Sequence, residues 1–324
     1  MTTKFRTHSF TVPAEMAGLR LDQALARLLP EHSRSRLKEW IEAGRVSLGD
    51  RTPRPRDLLI GGERLVVNEE TPVPQAVAAQ PIALDVVHAD DSLLIVNKPA
   101  GLVVHPGAGN RDRTLQNALL HYDATLAELP RAGILHRLDK DTSGLLVVAR
   151  TLAAHTALTR QLQARAIERE YEAVCGGVLT AGGTIDRAIA RHRTDRVRMA
   201  VRDDGREAVT HYRVIERFRA HTHVRVNLET GRTHQIRVHF AHVRHPLVGD
   251  ATYGGRLLLP RGATPALIEA LRGFPRQALH AARLALTHPQ SQRPVEWRAP
   301  LPRDMQVLIK VLRADARAAQ AGRA

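Results

Sequence analysis

The chain is 324 residues long, with 48 Lys+Arg against 33 Asp+Glu, a formal net charge of +15 and a pI near 11.1. A hydrophobic content of 43% belongs to globular proteins and not to disordered chains, while no apolar run reaches the ~18 residues of a membrane span and residues 1–25 lack a signal-peptide core. Cys175 is the single cysteine, which excludes an internal disulfide framework and paired-cysteine metal sites, so a soluble, cytoplasmic protein without structural zinc is expected.

Positive charge on this scale points to a polyanionic partner, because each phosphate neutralised by a cation releases counterions. The competing reading is compositional. Lys occurs only at positions 4, 38, 98, 140 and 310, and an Arg- and Ala-rich composition raises the pI without any function.

Residues 8–13 predict a short strand. Leu21, Leu25 and Leu28 then repeat at helical spacing with Asp22 in the first turn, and Pro30 ends that helix. Ser33 is the N-cap candidate of a second helix, which Gly44 stops. Its apolar face is Leu37, Trp40 and Ile41, and Arg34, Arg36 and Lys38 lie on its polar side. Short strands at 45–48 and 63–67 complete a module over residues 17–67, too small for much stability alone. Residues 68–82 hold three prolines and no periodicity, and read as a linker.

Strand patterns follow at 84–89, 92–98, 145–150, 171–178, 208–218 and 223–229, with helices predicted over 152–165, behind a Thr151 cap, and over 305–319. Strands outnumber helices and do not alternate regularly with them, which predicts an α+β domain over residues 83–315. No internal repeat is visible.

Residues 133–150, GILHRLDKDTSGLLVVAR, set a polar nonapeptide between two apolar segments. A plain loop is one reading. The other takes Asp139, between Arg137 and Lys140 in sequence, as a charged carboxylate placed to act as nucleophile or base. H-R-L-D-x-x-T-S-G followed by an apolar strand resembles the signature of the RluA-type pseudouridine synthases, whose catalytic aspartate corresponds to Asp139. DDSLLIVNKPAGLVVHPGAGN (90–110) is similar to that family's opening strand and N-K-P-x-G turn. RAIEREYEAV (165–174) resembles the segment of its active-site tyrosine, here Tyr171, and LETGRTHQIRVHFAHVRHPLVGD (228–250) its third motif, with Arg237 as the arginine. Residues 17–67 resemble the S4 RNA-binding module, and the order of parts over residues 15–315 is closest to the RluD branch.

The resemblance implies a pseudouridine synthase fold with a mixed, largely antiparallel central sheet behind a small α/β S4 module. It also implies isomerisation of uridine in 23S ribosomal RNA, in the stem-loop of an intersubunit bridge. The N1–C1′ bond breaks, the base turns, and C5 rejoins C1′, so no redox cofactor, nucleotide or metal is needed. Asp139 either adds covalently or removes a 2′ proton, and the sequence leaves both routes open. The target base must leave its stack at a cost of a few kcal/mol. Tyr171 would stack on the flipped uracil and serve the proton transfer at C5. Arg237 would hold Asp139 through a charge-assisted pair, with Arg232 as the rival, favoured as a phosphate or structural contact.

Arg137 has two readings, filling the space left by the flipped base or contacting a phosphate beside it. His136, Lys140 and Thr142 are assigned to substrate contacts, and Arg34, Arg36 and Lys38 to RNA contacts of the S4 module. Arg187, Arg191, Arg193, Arg196, Arg198, Arg202 and Arg206 are read as tracking phosphates. His234, His239, His242 and His245 carry no H-E-x-x-H pattern and no carboxylate partner, so no metal site is expected. The expected partner is 23S rRNA or a large-subunit precursor, bound by a monomer. Two alternatives stand beside this reading, an RluC-like synthase acting on other uridines and an inactive rRNA-binding assembly factor. A metal-dependent nuclease would need carboxylate or His clusters that are absent from the sequence.

Overall fold

The computed structural model describes residues 3–72, 77–107, 109–195 and 197–321, and divides the chain into two compact units, Met1–Ala76 and Val77–Ala324. Residues 73–76 of the expected linker, Ala108 and Arg196 lie outside the described residues. No described helix is long and apolar enough to cross a membrane.

The first unit is built from β1 (Thr3–Thr11), α1 (Leu21–Leu28), α2 (Arg34–Glu42), β2 (Val46–Leu48) and β3 (Arg64–Pro72). Its antiparallel sheet has the order β1-β3-β2. The helical periodicity is realised: Leu21 and Leu25 of α1 and Leu37, Trp40 and Ile41 of α2 are buried together against Val46, Leu65 and Val67. The Ser33 hydroxyl accepts from the Arg36 N–H and caps α2. Residues 68–72 are strand and not linker. They continue β3 in register with β1, from Thr11↔Arg64 to Thr3↔Pro72. Cross-strand polar pairs tie the two strands: the Thr7 hydroxyl donates to Asn68 at 3.0 Å and His8 meets the buried Glu69 at 2.7 Å.

The second unit runs β4 (Val86–Ala89), β5 (Leu93–Lys98), α3 (Leu115–Tyr122), β6 (Ser143–Ala149), α4 (Leu152–Gln163), β7 (Glu168–Gly176), β8 (Gly183–Asp186), β9 (Ile189–Arg191) and β10 (Met199–Val201). It continues through β11 (Val209–Arg217), β12 (His221–Leu228), α5 (Gln235–His242), α6 (Pro265–Gly273), β13 (Leu279–Thr287), β14 (Pro294–Arg298) and α7 (Arg303–Ala321). Residues 77–80 pack with this unit and not as free linker. Asn117 Nδ2 donates to the Ala78 carbonyl at 2.8 Å, and the Gln80 N–H donates to the Asn117 carbonyl at 3.0 Å.

One sheet of nine strands dominates, in the order β4-β5-β6-β13-β7-β12-β11-β8 with β14 on β13. All its pairings are antiparallel except β6 with β13. Both faces of its centre are covered, which explains the continuous apolar runs of β5 and β6. Leu94, Val96, Leu146 and Val148 face α3, while Leu93, Ile95, Leu145 and Val147 face Ala154 and Leu158 of α4. The parallel pair is short, His280↔Ser143 and Ala281↔Gly144. Gly144 makes it possible: at φ +116° a Cβ there would lie 2.3 Å from the Ala281 carbonyl oxygen. The glycine of the T-S-G motif is thus a close-approach residue that locks the loop bearing Asp139 onto β13.

Candidate active site

The loop from His136 to Gly144 is fixed mainly by backbone contacts. Lys98, at the end of β5 and fully buried, donates from Nζ to the carbonyls of Pro99, Leu102 and Lys140 at 2.8, 2.9 and 2.9 Å. The Gly101 N–H donates to the same Lys140 carbonyl at 2.9 Å. Arg276 Nη1 reaches the Asp141 carbonyl at 3.1 Å, and the Thr142 N–H closes a turn onto the Asp139 carbonyl. Thr142 is buried with its hydroxyl accepting from Gln277 Nε2 at 3.1 Å, so it holds the loop from inside and offers nothing to a substrate. His136 is half-buried and faces β6. Its Nε2 accepts from the Val147 N–H at 3.2 Å, and burial with the nearby Arg169 charge pushes its pKa down to about 3. It satisfies the edge of β6 as a neutral ring, where a protonated one would lose the bond.

Burial pushes Lys98 down to about 7 from 10.5, with the charges of Asp141 and Asp139 opposing the shift. Lys98→Met leaves three buried carbonyls without that donor and should destabilise the fold by roughly 3 kcal/mol. Denaturant unfolding measures that loss.

Asp139, 15% exposed at its side chain, accepts from Arg237 Nη1 at 3.0 Å through Oδ2. The expected pair exists, but as a single bond. The planar fork of Arg237 is aimed elsewhere: Nε and Nη2 donate to Oδ2 and Oδ1 of Asp250 at 2.7 and 2.9 Å. The Asp250 side chain is 0% exposed, and its Oδ1 also accepts from the N–H groups of Thr252 and Tyr253. Burial alone would push Asp250 up; the Arg237 hydrogen bonds and charge, with those two N–H groups, leave it below the usual carboxylate range. Burial likewise disfavours charge on Arg237, and the two aspartates reverse that and raise its pKa. Asp250 was missed as a site residue because Gly-Asp after Pro246 reads as turn chemistry. Its only signal was its place at the end of the third motif.

Arg237 projects from α5 beside Ile236 and Phe240. His234 is the N-cap residue of α5, in the left-handed region at φ 56°, and makes no side-chain cap bond. The Gln235 side chain ties the entry instead, accepting from the Thr230 hydroxyl and the Arg232 N–H and donating to the Val209 carbonyl and Thr210 hydroxyl. Tyr171, on β7 opposite Ala281, is buried. Desolvation raises its pKa, Arg169 works against this, and the Asp139 charge adds to it.

The other candidates are more peripheral. Arg137 is exposed, and its charge helps push down His105 and His234. The Lys140 side chain is exposed. Arg232 is half-buried with Nε donating to the Glu207 carbonyl at 2.9 Å, a structural contact. Two histidines of the third motif have structural partners: His239 bonds the Thr210 hydroxyl and the Arg187 carbonyl, and His245 the Gly176 carbonyl. Arg191, His192, Arg193 and Arg202 line a cavity of about 570 Å³ beside the β9–β10 hairpin.

In the first unit Arg34 and Lys38 are exposed, Lys38 lying 3.5 Å from Glu42, while the Arg36 guanidinium covers the Trp40 ring at 5.7 Å. Arg34→Gln with Lys38→Gln should lower the log–log salt slope of rRNA binding by about 1.4–1.8, at ~0.7–0.9 per phosphate contact. Filter binding over a salt series measures this, and an unchanged slope would remove both side chains from the interface.

A family model described as RNA pseudouridylate synthase matches residues 92–242, the stretch that holds Asp139, Tyr171 and Arg237, and the S4 domain model matches residues 19–54. The human RNA pseudouridylate synthase domain containing 4 has a similar structure, with TM-score 0.56 and 26% identity over 70% of this chain and 92% of that one. The chain is 58% identical over 313 residues to ribosomal large subunit pseudouridine synthase D of Xanthomonas campestris, covering 96% of this chain and 95% of that protein. The protein of the same name from Escherichia coli K12 is 56% identical over 306 residues, 94% of each chain. The chain belongs to the ribosomal large subunit pseudouridine synthase D family.

Proposed function

We propose that the chain isomerises uridine to pseudouridine in 23S large-subunit ribosomal RNA, at uridines of the intersubunit-bridge stem-loop, with Asp139 as the reacting carboxylate. The observation that carries this reading is the Asp250–Arg237–Asp139 relay, in which a buried anion fixes the cation and the cation fixes a partly open carboxylate. Asp139 attacks C1′ or takes the 2′ proton as the N1–C1′ bond breaks. The uracil turns and C5 bonds to C1′, which releases the Asp139 carboxylate from C1′ or, in the other route, goes with return of the proton to C2′. N1 takes a proton as C5 loses its own to solvent, so atoms and electrons balance without an oxidant. Tyr171 stacks on the uracil and serves the C5 proton. Arg137, exposed near Asp139, meets the RNA where the base has left the stack. The relay is assembled within one chain, which supports action as a monomer. An RNA substrate made in the cytoplasm supports a cytoplasmic location.

Large-subunit rRNA carrying tritium at C5 of uridine should release label to water in the presence of the protein, with or without chelator. Mapping pseudouridine in rRNA from a deletion strain should show its loss in the bridge stem-loop. Loss at other uridines instead would favour the RluC-like alternative, and no release from any rRNA would leave an assembly factor.

A further inference from the structure

We propose that Tyr253 and His234 form a positioning pair for this reaction, the tyrosine hydroxyl holding the imidazole neutral with its Nε2–H turned towards Asp139. The proposal rests on the reading of Asp139 as the reacting carboxylate. His234 Nδ1 lies 2.9 Å from the Tyr253 hydroxyl, and that hydroxyl already accepts from the Met199 N–H at 2.8 Å. With one acceptor position filled, the hydroxyl proton is directed to Nδ1. The ring proton of a neutral His234 is then on Nε2, which faces Asp139 Oδ1 at 3.9 Å.

At that distance the imidazole does not bond the carboxylate. It aims a dipole at Oδ1 and restricts rotation of the group that Arg237 holds only by Oδ2. A shift of about 1 Å would bring it to hydrogen-bond length, and catalytic contacts commonly tighten when substrate binds.

Tyr253 is held from several sides. Its N–H donates to Asp250 Oδ1 at 3.0 Å, and the guanidiniums of Arg237 and Arg198 face its ring at 5.1 and 5.3 Å. The charged groups around His234 are Asp139, Arg237, Arg137 and Asp250. Burial disfavours a charged His234 most; Asp139 and Asp250 oppose this, both arginines add to it, and the balance lies below the usual histidine range. Met199 opens β10, so the pair also ties the arginine-bearing β9–β10 hairpin to the carboxylate.

The test is kcat and KM for tritium release from a large-subunit rRNA fragment, from about pH 5 to 9, for wild type, Tyr253→Phe, His234→Gln and the double variant. Tyr253→Phe keeps the ring and removes only the hydroxyl. It should lower kcat by about tenfold to a hundredfold and leave KM within about twofold. Without the donor to Nδ1, His234 protonates more readily, so the acid limb of kcat should move to higher pH. In His234→Gln that limb should vanish, and adding Tyr253→Phe should cost little more, because the hydroxyl acts through the imidazole. If Tyr253→Phe does not fold, His234→Gln over the same pH series decides. An unchanged kcat, a loss confined to KM, an unmoved acid limb or fully multiplicative losses would overturn the pair. Inactive wild type would instead overturn the reading of Asp139.

Discussion

Asp139→Asn should abolish pseudouridine formation, by about four orders of magnitude or more, while leaving rRNA affinity within a few-fold. The amide fills nearly the same volume but neither attacks C1′ nor accepts a 2′ proton. Stability should hardly move, because Arg237 keeps both of its bonds to Asp250 and Asp139 is partly open to solvent. Loss of one partly exposed pair member costs less than about 1 kcal/mol. Tritium release, filter binding and thermal melting on one preparation separate these three effects. Turnover above background in the variant would remove Asp139 from the chemistry.

Arg237→Met should lose both activity and stability, and the second loss comes from Asp250. Taking the guanidinium away leaves a carboxylate with a 0% exposed side chain and only two backbone N–H donors. Breaking a buried pair in this way costs ~3–5 kcal/mol. Asp139→Asn in the same chain should restore little of that, since Asp139 does not hold the orphaned charge. Asp250→Asn should restore a substantial part, because it removes the charge and keeps an oxygen for the Thr252 and Tyr253 N–H groups. Arg237→Lys keeps a cation but reaches one carboxylate at a time, and should recover stability better than rate. A double-mutant cycle on unfolding free energy reads the coupling. Equal rescue by Asp139→Asn and Asp250→Asn would mean that the two aspartates share the arginine evenly.

The parts of this fold that were legible in sequence are those whose pattern is set locally. Leu21, Leu25, Leu37, Trp40 and Ile41 were readable because helical period and burial coincide in α1 and α2. The apolar runs of β5 and β6 were readable because both faces of the sheet are covered. β13 was not. Leu279–Thr287 carries three alanines, a histidine and an arginine, and it is a strand only because β6 and β7 leave a gap that it fills. Residues 68–72 were misread for a related reason, since their polar composition is that of a linker until β1 is there to pair with them.

In the site, Asp139 was legible from its motif, and the contact with Arg237 is the one expected of that motif. The direction of the Arg237 fork was not, because Asp250 and Asp139 compete for it only in three dimensions. His136 and Thr142 look like substrate contacts in sequence, as polar residues beside a nucleophile do. Which way such a group points is decided by its packing partners, Val147 eleven residues on for His136 and Gln277, distant in the chain, for Thr142.

The short parallel contact between β6 and β13 also sets when the enzyme comes into being. The loop bearing Asp139 is anchored by Arg276, Gln277 and His280, all more than 130 residues downstream of the groups they hold. A ribosome adding about 5–20 residues per second completes the first unit and the β5–β6 pair well before these anchors emerge. The nascent chain therefore carries Asp139 in a loop that lacks these anchors until β13 inserts beside β6 and β7. Closing contacts of such long sequence separation is a slow, late event in folding. A ribosome making this protein is thus exposed to a nearly full-length chain that is not yet a catalyst, and chemistry on ribosomal RNA begins only after the C-terminal part has docked.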